Sequence, residues 1–164
     1  MLDGVVDPRQ ADTIFIATAT GGVGVSLEAG KRFAPAWPAD QVQTIGALAI
    51  APDGTLYAGT GEAGPGGGSL TYGGNGVYRS RDGGRSWQLL GLKPTERIGR
   101  IVVEPKNPQG IWVAASGPAY AAGGGRGVAA VLLYHLWVLV WRKPHDVGGV
   151  AVRGFRGRRD RGMP

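Results

Sequence analysis

Cysteine is absent from the 164 residues. That excludes disulfide staples, thiolate metal sites and a cysteine nucleophile together. Histidine is nearly absent: His135 and His145, ten residues apart with no patterned acidic partner, fit neither a metal site nor a Ser-His-Asp arrangement. Long apolar runs are missing too. The longest, Val128 to Trp141, has fourteen mostly apolar residues interrupted by His135, short of the ~17–25 a membrane span needs. The start, Met1-Leu-Asp-Gly-Val-Val-Asp-Pro8, lacks the basic and then apolar regions of a secretory signal. No membrane span, cofactor or metal is expected.

What is abundant is glycine. The 31 Gly and 11 Pro make about a quarter of the chain turn punctuation, while 43% hydrophobic residues and a mean hydropathy of −0.06 are too apolar for a disordered polymer. Many short strands joined by tight turns satisfy both facts. The net charge of +6 is unevenly placed. Seven basic and two acidic residues after Trp141 give +5, leaving +1 for the rest. The arginines of this tail are not interleaved with stacking aromatics beyond Phe155, so no nucleic-acid partner is expected.

Three segments repeat one pattern. Val6-Asp-Pro8 leads into Thr13-Ile-Phe-Ile-Ala-Thr18, Ile50-Ala-Pro52 into Thr55-Leu-Tyr-Ala-Gly-Thr60, and Val103-Glu-Pro105 into Gly110-Ile-Trp-Val-Ala-Ala115. A second motif interleaves: Ser80-Arg-Asp-Gly-Gly-Arg-Ser-Trp87 follows Gly76-Val-Tyr-Arg79, and Ser26-Leu-Glu-Ala-Gly-Lys-Arg-Phe33 follows Gly22-Val-Gly-Val25. From Ser26 to Pro52 is 26 residues and from Ser80 to Pro105 is 25, but Pro8 to Ser26 is 18 against 28 for Pro52 to Ser80. The second unit therefore carries about ten extra residues within the glycine-rich stretch from Glu62 to Asn75. Its run Gly64-Pro-Gly-Gly-Gly68 lacks the lysine and following helix of a phosphate loop.

Each unit reads as four short strands, in the second unit Ile45–Ala51, Thr55–Thr60, Gly76–Ser80 and Arg85–Leu90. Four antiparallel strands recurring at ~45–50 residues is the period of a β-propeller blade. The expected fold is all-β: a partial β-propeller of two four-stranded antiparallel blades plus part of a third, in units of about 4–37, 45–92 and 98–128, followed by an off-pattern tail, 129–164. In the turn after Arg79, Gly83 and Gly84 can take the positive φ that a tight hairpin demands. Asp82 can accept turn N–H groups with Ser80 in the same network, and Trp87 can pin the hairpin to its neighbour.

The S-x-D-x-G-x-x-W pattern after a G-x-Y strand resembles the Asp-box, or BNR, repeat. With Ile45-Gly-Ala-Leu-Ala-Ile50, Tyr57-Ala-Gly-Thr-Gly-Glu62 and Ile98-Gly-Arg-Ile-Val-Val-Glu-Pro105, the chain is similar to the propellers of BNR-repeat glycosyl-hydrolase-like and sortilin-type proteins over about Val5 to Val128. The resemblance implies a structural Asp box at Ser80, Asp82, Gly84 and Trp87, and a degenerate one at Ser26, Glu28, Gly30 and Phe33. It does not choose a function, because that superfamily includes sialidases, xyloglucanases, peptide receptors and photosystem assembly factors. Its members are often secreted or periplasmic; the chain itself leaves the compartment open.

Glycoside hydrolysis needs two carboxyl groups facing across a cleft. Asp7 and Glu104 precede prolines, Asp53 lies in a Pro-Asp-Gly turn and Asp82 belongs to its box, which leaves Glu62 as the loop candidate. Xyloglucanases place a catalytic Asp just before a Gly-Gly in the first blade, and in the resembling Ala17-Thr-Ala-Thr-Gly-Gly22 that position is Ala19. No recognisably spaced arginine cluster precedes Arg97 to suit a sialidase. No catalytic residue is assigned. The expectation is a non-catalytic scaffold binding a protein or glycan, the alternative a remnant of a BNR-repeat glycoside hydrolase.

The third unit reaches Gly125-Arg-Gly-Val128, matching Gly74-Asn-Gly-Val77 at an offset of 51, and a further box should follow. Val131, Leu133 and Val138 stand where Ser, Asp and Trp belong. A shifted reading frame after about Val128 would produce such a break, and translating the DNA in the other two frames tests it. Two and a half units cannot close a ring of four to eight blades. The chain is thus expected to be a fragment of a larger propeller, with open faces prone to self-association.

Overall fold

The computed structural model describes residues 1–63, 72–117, 126–132 and 137–141. Residues 64–71, His135, His145 and the basic tail, read above from the sequence, lie outside them. The chain forms three four-stranded antiparallel sheets, each a meander in chain order. The first holds β1 (Asp3–Asp7), β2 (Gln10–Ala17), β3 (Val23–Ser26) and β4 (Ala34–Pro35). The second holds β5 (Ile45–Ile50), β6 (Leu56–Thr60), β7 (Val77–Ser80) and β8 (Gln88–Gly91), and the third β9 (Ile98–Glu104), β10 (Asn107–Ala115), β11 (Gly127–Leu132) and β12 (Trp137–Trp141). No α-helix occurs among the described residues; one 3-10 turn, Lys93–Thr95, joins the second sheet to the third.

Two differences from the sequence expectation have local causes. The strand expected from Arg85 begins at Gln88, because Ser80 to Trp87 is consumed by a hydrogen-bonded turn. The third sheet does not stop at Val128: β11 runs to Leu132, and β12 pairs with it from Val128↔Trp141 to Leu132↔Trp137. Strand pairing is a backbone property favoured by β-branched and aromatic residues, which the run holding Val131, Val138 and Val140 supplies.

Period-2 alternation decides how the sheets stack. Leu56 and Ala58 of β6 enter one core, with Phe15, Ala17 and Val23 of the first sheet; Tyr57 between them enters a second, with Ile98, Ile101, Ile111 and Val113 of the third. The middle sheet is therefore buried on both faces, and β6 reads as a continuous apolar run. β5 packs against both β1 and β9, so the first strands of the three sheets lie side by side, as in the inner ring of a propeller. This is a partial all-β propeller.

Close approach between sheets relies on glycine at two points. A Cβ on Gly46 would fall 2.1 Å from Gly61 O and 2.4 Å from Ile98 O, both backbone atoms, and one on Gly59 would meet the Ile98 side chain at 2.3 Å. Asp3 adds a polar tie: its Oδ2 accepts the Leu48 N–H at 2.8 Å across the first and second sheets.

Candidate functional site

The Ser80–Trp87 turn closes on two side chains. Ser80 Oγ donates to Asp82 Oδ1 at 2.8 Å and accepts the Gly84 N–H at 2.9 Å. Asp82 Oδ1 accepts the Ser86 N–H at 2.9 Å, and Oδ2 accepts the Ser86 hydroxyl at 2.5 Å. Gly83 and Gly84 have φ of 72° and 87°. The Ser86 hydroxyl and N–H, with help from Ser80 and the Arg85 N–H, hold the Asp82 carboxyl down at about 2. A carboxylate so occupied is a poor proton donor or base near neutral pH. Trp87 leaves the turn toward the first sheet, donating Nε1–H to Ala36 O at 2.8 Å while its ring lies 4.8 Å from that of Trp37.

The Ser26–Phe33 turn repeats half of this. Ser26 Oγ accepts the Gly30 N–H at 2.9 Å and the Glu28 N–H at 3.3 Å, matching Ser80 with Gly84 and Asp82. Gly30 has φ 86°, and Ala29, in the place of Gly83, is held at φ 54°. The Glu28 carboxylate receives none of the turn's N–H groups among the described residues, and Phe33 is 44% exposed.

Loops at the opposite end of the sheets hang on a threonine clamp that sequence reading missed. Thr60 Oγ1 accepts the Asn75 and Gly76 N–H groups and donates to Gly76 O, closing the long insertion; Thr18 Oγ1 accepts the Gly21 N–H and donates to Gly22 O, closing the short counterpart. The signal was present, since Thr ends both Thr13–Thr18 and Thr55–Thr60. Ala19 lies within the short loop.

Glu62 stands just past the Thr60 clamp, half-buried, its N–H donating to Tyr72 O at 3.0 Å. The Gly61 backbone beside it packs against Glu96, a residue the sequence did not single out because no repeat marks it. A Cβ on Gly61 would lie within 3 Å of Glu96 O, Gly74 N and Arg97 Cα, and Glu96 O accepts the Gly74 N–H. Glu96 has φ 52°, and its exposed carboxylate lies 3.6 Å from the buried Arg97 guanidinium, which also donates to Gly117 O. The backbone of Glu96 and Arg97 thus packs against Gly61, next to Glu62, where the second and third sheets adjoin.

An open cleft of ≈ 570 Å³ also runs beside β8, its lining including Asp40, Gln41, Asn75, Tyr78, Trp87 and Lys93. The Tyr78 hydroxyl donates to Gln41 Oε1 at 3.0 Å. No group of three or more His, Asp or Glu residues suited to a metal occurs among the described residues. No described helix is long and apolar enough to cross a membrane.

No family model matches the sequence, and neither does any curated protein. Solved structures do match in fold. The GH74 enzyme of Niastella koreensis is 21% identical with a TM-score of 0.63, covering 82% of this chain and 20% of its own. An ancestral GH74 enzyme is 22% identical with a TM-score of 0.57, covering 77% and 16%. The GH74 xyloglucanase of Xanthomonas campestris is 16% identical with a TM-score of 0.57, covering 82% and 21%. The chain spans about a fifth of these enzymes, and it shares their β-propeller fold.

Proposed function

We propose that the chain is an Asp-box segment of a glycoside-hydrolase-like propeller and that it binds a glycan without cleaving it. The supporting observation is how its carboxylates are used. Asp3 holds the Leu48 N–H, Asp7 the Arg9 guanidinium, Asp53 the Thr55 N–H and Asp82 the Ser80–Trp87 turn. Each is a brace, and Ala19 offers no acid where xyloglucanases carry one. The cleft beside β8 suits a neutral sugar, because an aromatic wall and convergent amides are the groups that recognise rings and hydroxyls. The Xanthomonas neighbour is a xyloglucanase, so xyloglucan oligosaccharides are the first ligands to try.

Titration calorimetry of the full chain with these oligosaccharides should give saturable binding that Gln41→Ala and Lys93→Ala weaken, with no release of reducing ends. A second reading, a hydrolase remnant, draws on the packing of the Glu96 backbone against Gly61, the residue before Glu62. Reducing-end release lost in both Glu62→Gln and Glu96→Gln would replace the first reading with it, and an absence of binding would end the first reading outright.

A further inference from the structure

Strand registers make residues of the three sheets equivalent. Phe15 sits opposite Val5 and Val25, Tyr57 opposite Ala49 and Arg79, and Trp112 opposite Val102 and Ala130. Phe15 and Tyr57 are 2% and 0% exposed, each the aromatic centre of one face as it meets the next sheet. Trp112 occupies the same place on the third sheet and is 47% exposed, as are its companions Val102 at 49% and Val128 at 45%. Their second-sheet equivalents, Ala49 and Val77, are buried. The third sheet thus presents, uncovered, the face its two predecessors use to receive a neighbour.

The complementary face is also on this chain. In the second and third sheets the receiving partner offers Ile50, Leu56 and Ala58, and Val103, Ile111 and Val113. The first sheet offers Val6, Ile14 and Ile16 at those register positions, with Val6 50% exposed and the isoleucines half-buried. Two positions differ: Gly4 stands where the others have Leu48 and Ile101, and Gly24 where they have Tyr78 and Ala129. Removing bulk there leaves room opposite Trp112, which is larger than Phe15 or Tyr57, and size complementarity of this kind is what close packing requires.

We propose that this chain associates head to tail, the Val102–Trp112–Val128 face of one copy taking the Val6–Ile14–Ile16 face of a second copy. The contact is heterologous, because two different surfaces meet. Two copies bring six sheets together, within the four to eight at which propellers close.

Sedimentation velocity of the full-length chain across a concentration series tests this. The parent should associate, and Trp112→Glu and Val6→Glu should each shift the midpoint of association at least tenfold higher while keeping the β-sheet circular dichroism of the parent. Val102→Glu is a second variant of the Trp112 face should Trp112→Glu fail to fold. Mixing the two glutamate variants should restore heterodimers, since each retains one intact face. A monomeric parent, association that ignores both substitutions, or a mixture that stays monomeric would overturn the proposal. A monomer whose Trp112 resists quenching would assign the face to another part of the chain instead.

Discussion

Trp87 donates its indole N–H to the carbonyl of Ala36, 51 residues earlier, at 2.8 Å. The bond joins the turn of the second sheet to the segment leaving the first, and the same indole reaches Gly84 O at 3.1 Å within its own turn. Hairpin closure and sheet stacking therefore share one side chain. Trp87→Phe keeps a ring against Trp37 but strands the Ala36 carbonyl, and should destabilise the chain by about 1–2 kcal/mol. Trp87→Ala removes the ring as well and should lose about 3 kcal/mol. Urea unfolding followed by circular dichroism measures both.

The two turns predict opposite responses to reciprocal substitutions. Ala29 is held at φ 54° where its counterpart Gly83 has φ 72°. A left-handed non-glycine residue is strained by about 1–2 kcal/mol, partly offset by the greater unfolded-state freedom of glycine. Ala29→Gly should stabilise by roughly 0.5–1 kcal/mol, and Gly83→Ala should destabilise by about 1 kcal/mol. A Cβ at Gly83 meets no atom within 4 Å, so backbone strain alone is read. Thermal melts of the pair should move in opposite directions.

Acid should loosen the Ser80–Trp87 turn late. The folded pKa of Asp82, about 2, lies below its ordinary 3.8. A depressed carboxyl contributes stability that is fully present above the unfolded pKa and lost as pH falls through the folded one. Asp82→Asn removes the charge at every pH, so the gap between parent and variant should be constant above pH 5 and shrink between pH 4 and pH 2. Urea midpoints at pH 7, 4 and 2.5 check this; a gap unchanged at pH 2.5 contradicts it.

Gly46 and Gly73 offer a contrast in packing. A side chain at Gly46 runs into two backbone oxygens from different sheets, neither able to swing aside, whereas a Cβ at Gly73 meets nothing within 4 Å. Gly46→Ala should destabilise by about 2–3 kcal/mol or prevent folding, and Gly73→Ala should stay within about 0.5 kcal/mol of the parent. Protease resistance of the two purified variants distinguishes them.

The repeats at Pro8, Pro52 and Pro105 made the three-sheet plan legible, because alternation and turn residues act over a few positions and leave their period in the sequence. The Ser80 and Asp82 contacts were legible for the same reason: every partner inside that turn lies within four residues. Glu96 was not, since it carries no motif and gains meaning only where the 3-10 turn presses it against Gly61. The β12 pairing was not either, because it runs through the backbone of an apolar stretch that carries no turn motif to mark its register.

The order of residues alone determined where strands alternate, where glycine turns the chain and how serine and aspartate close a hairpin. These are short-range effects, fixed by sterics and by hydrogen bonds between near neighbours. Only the tertiary structure decided which faces meet: Phe15 and Tyr57 are covered while Trp112 is left open, and Asp3 reaches Leu48 across two sheets. Such contacts join residues tens of positions apart, and alternation says that a face is apolar without saying which surface will cover it.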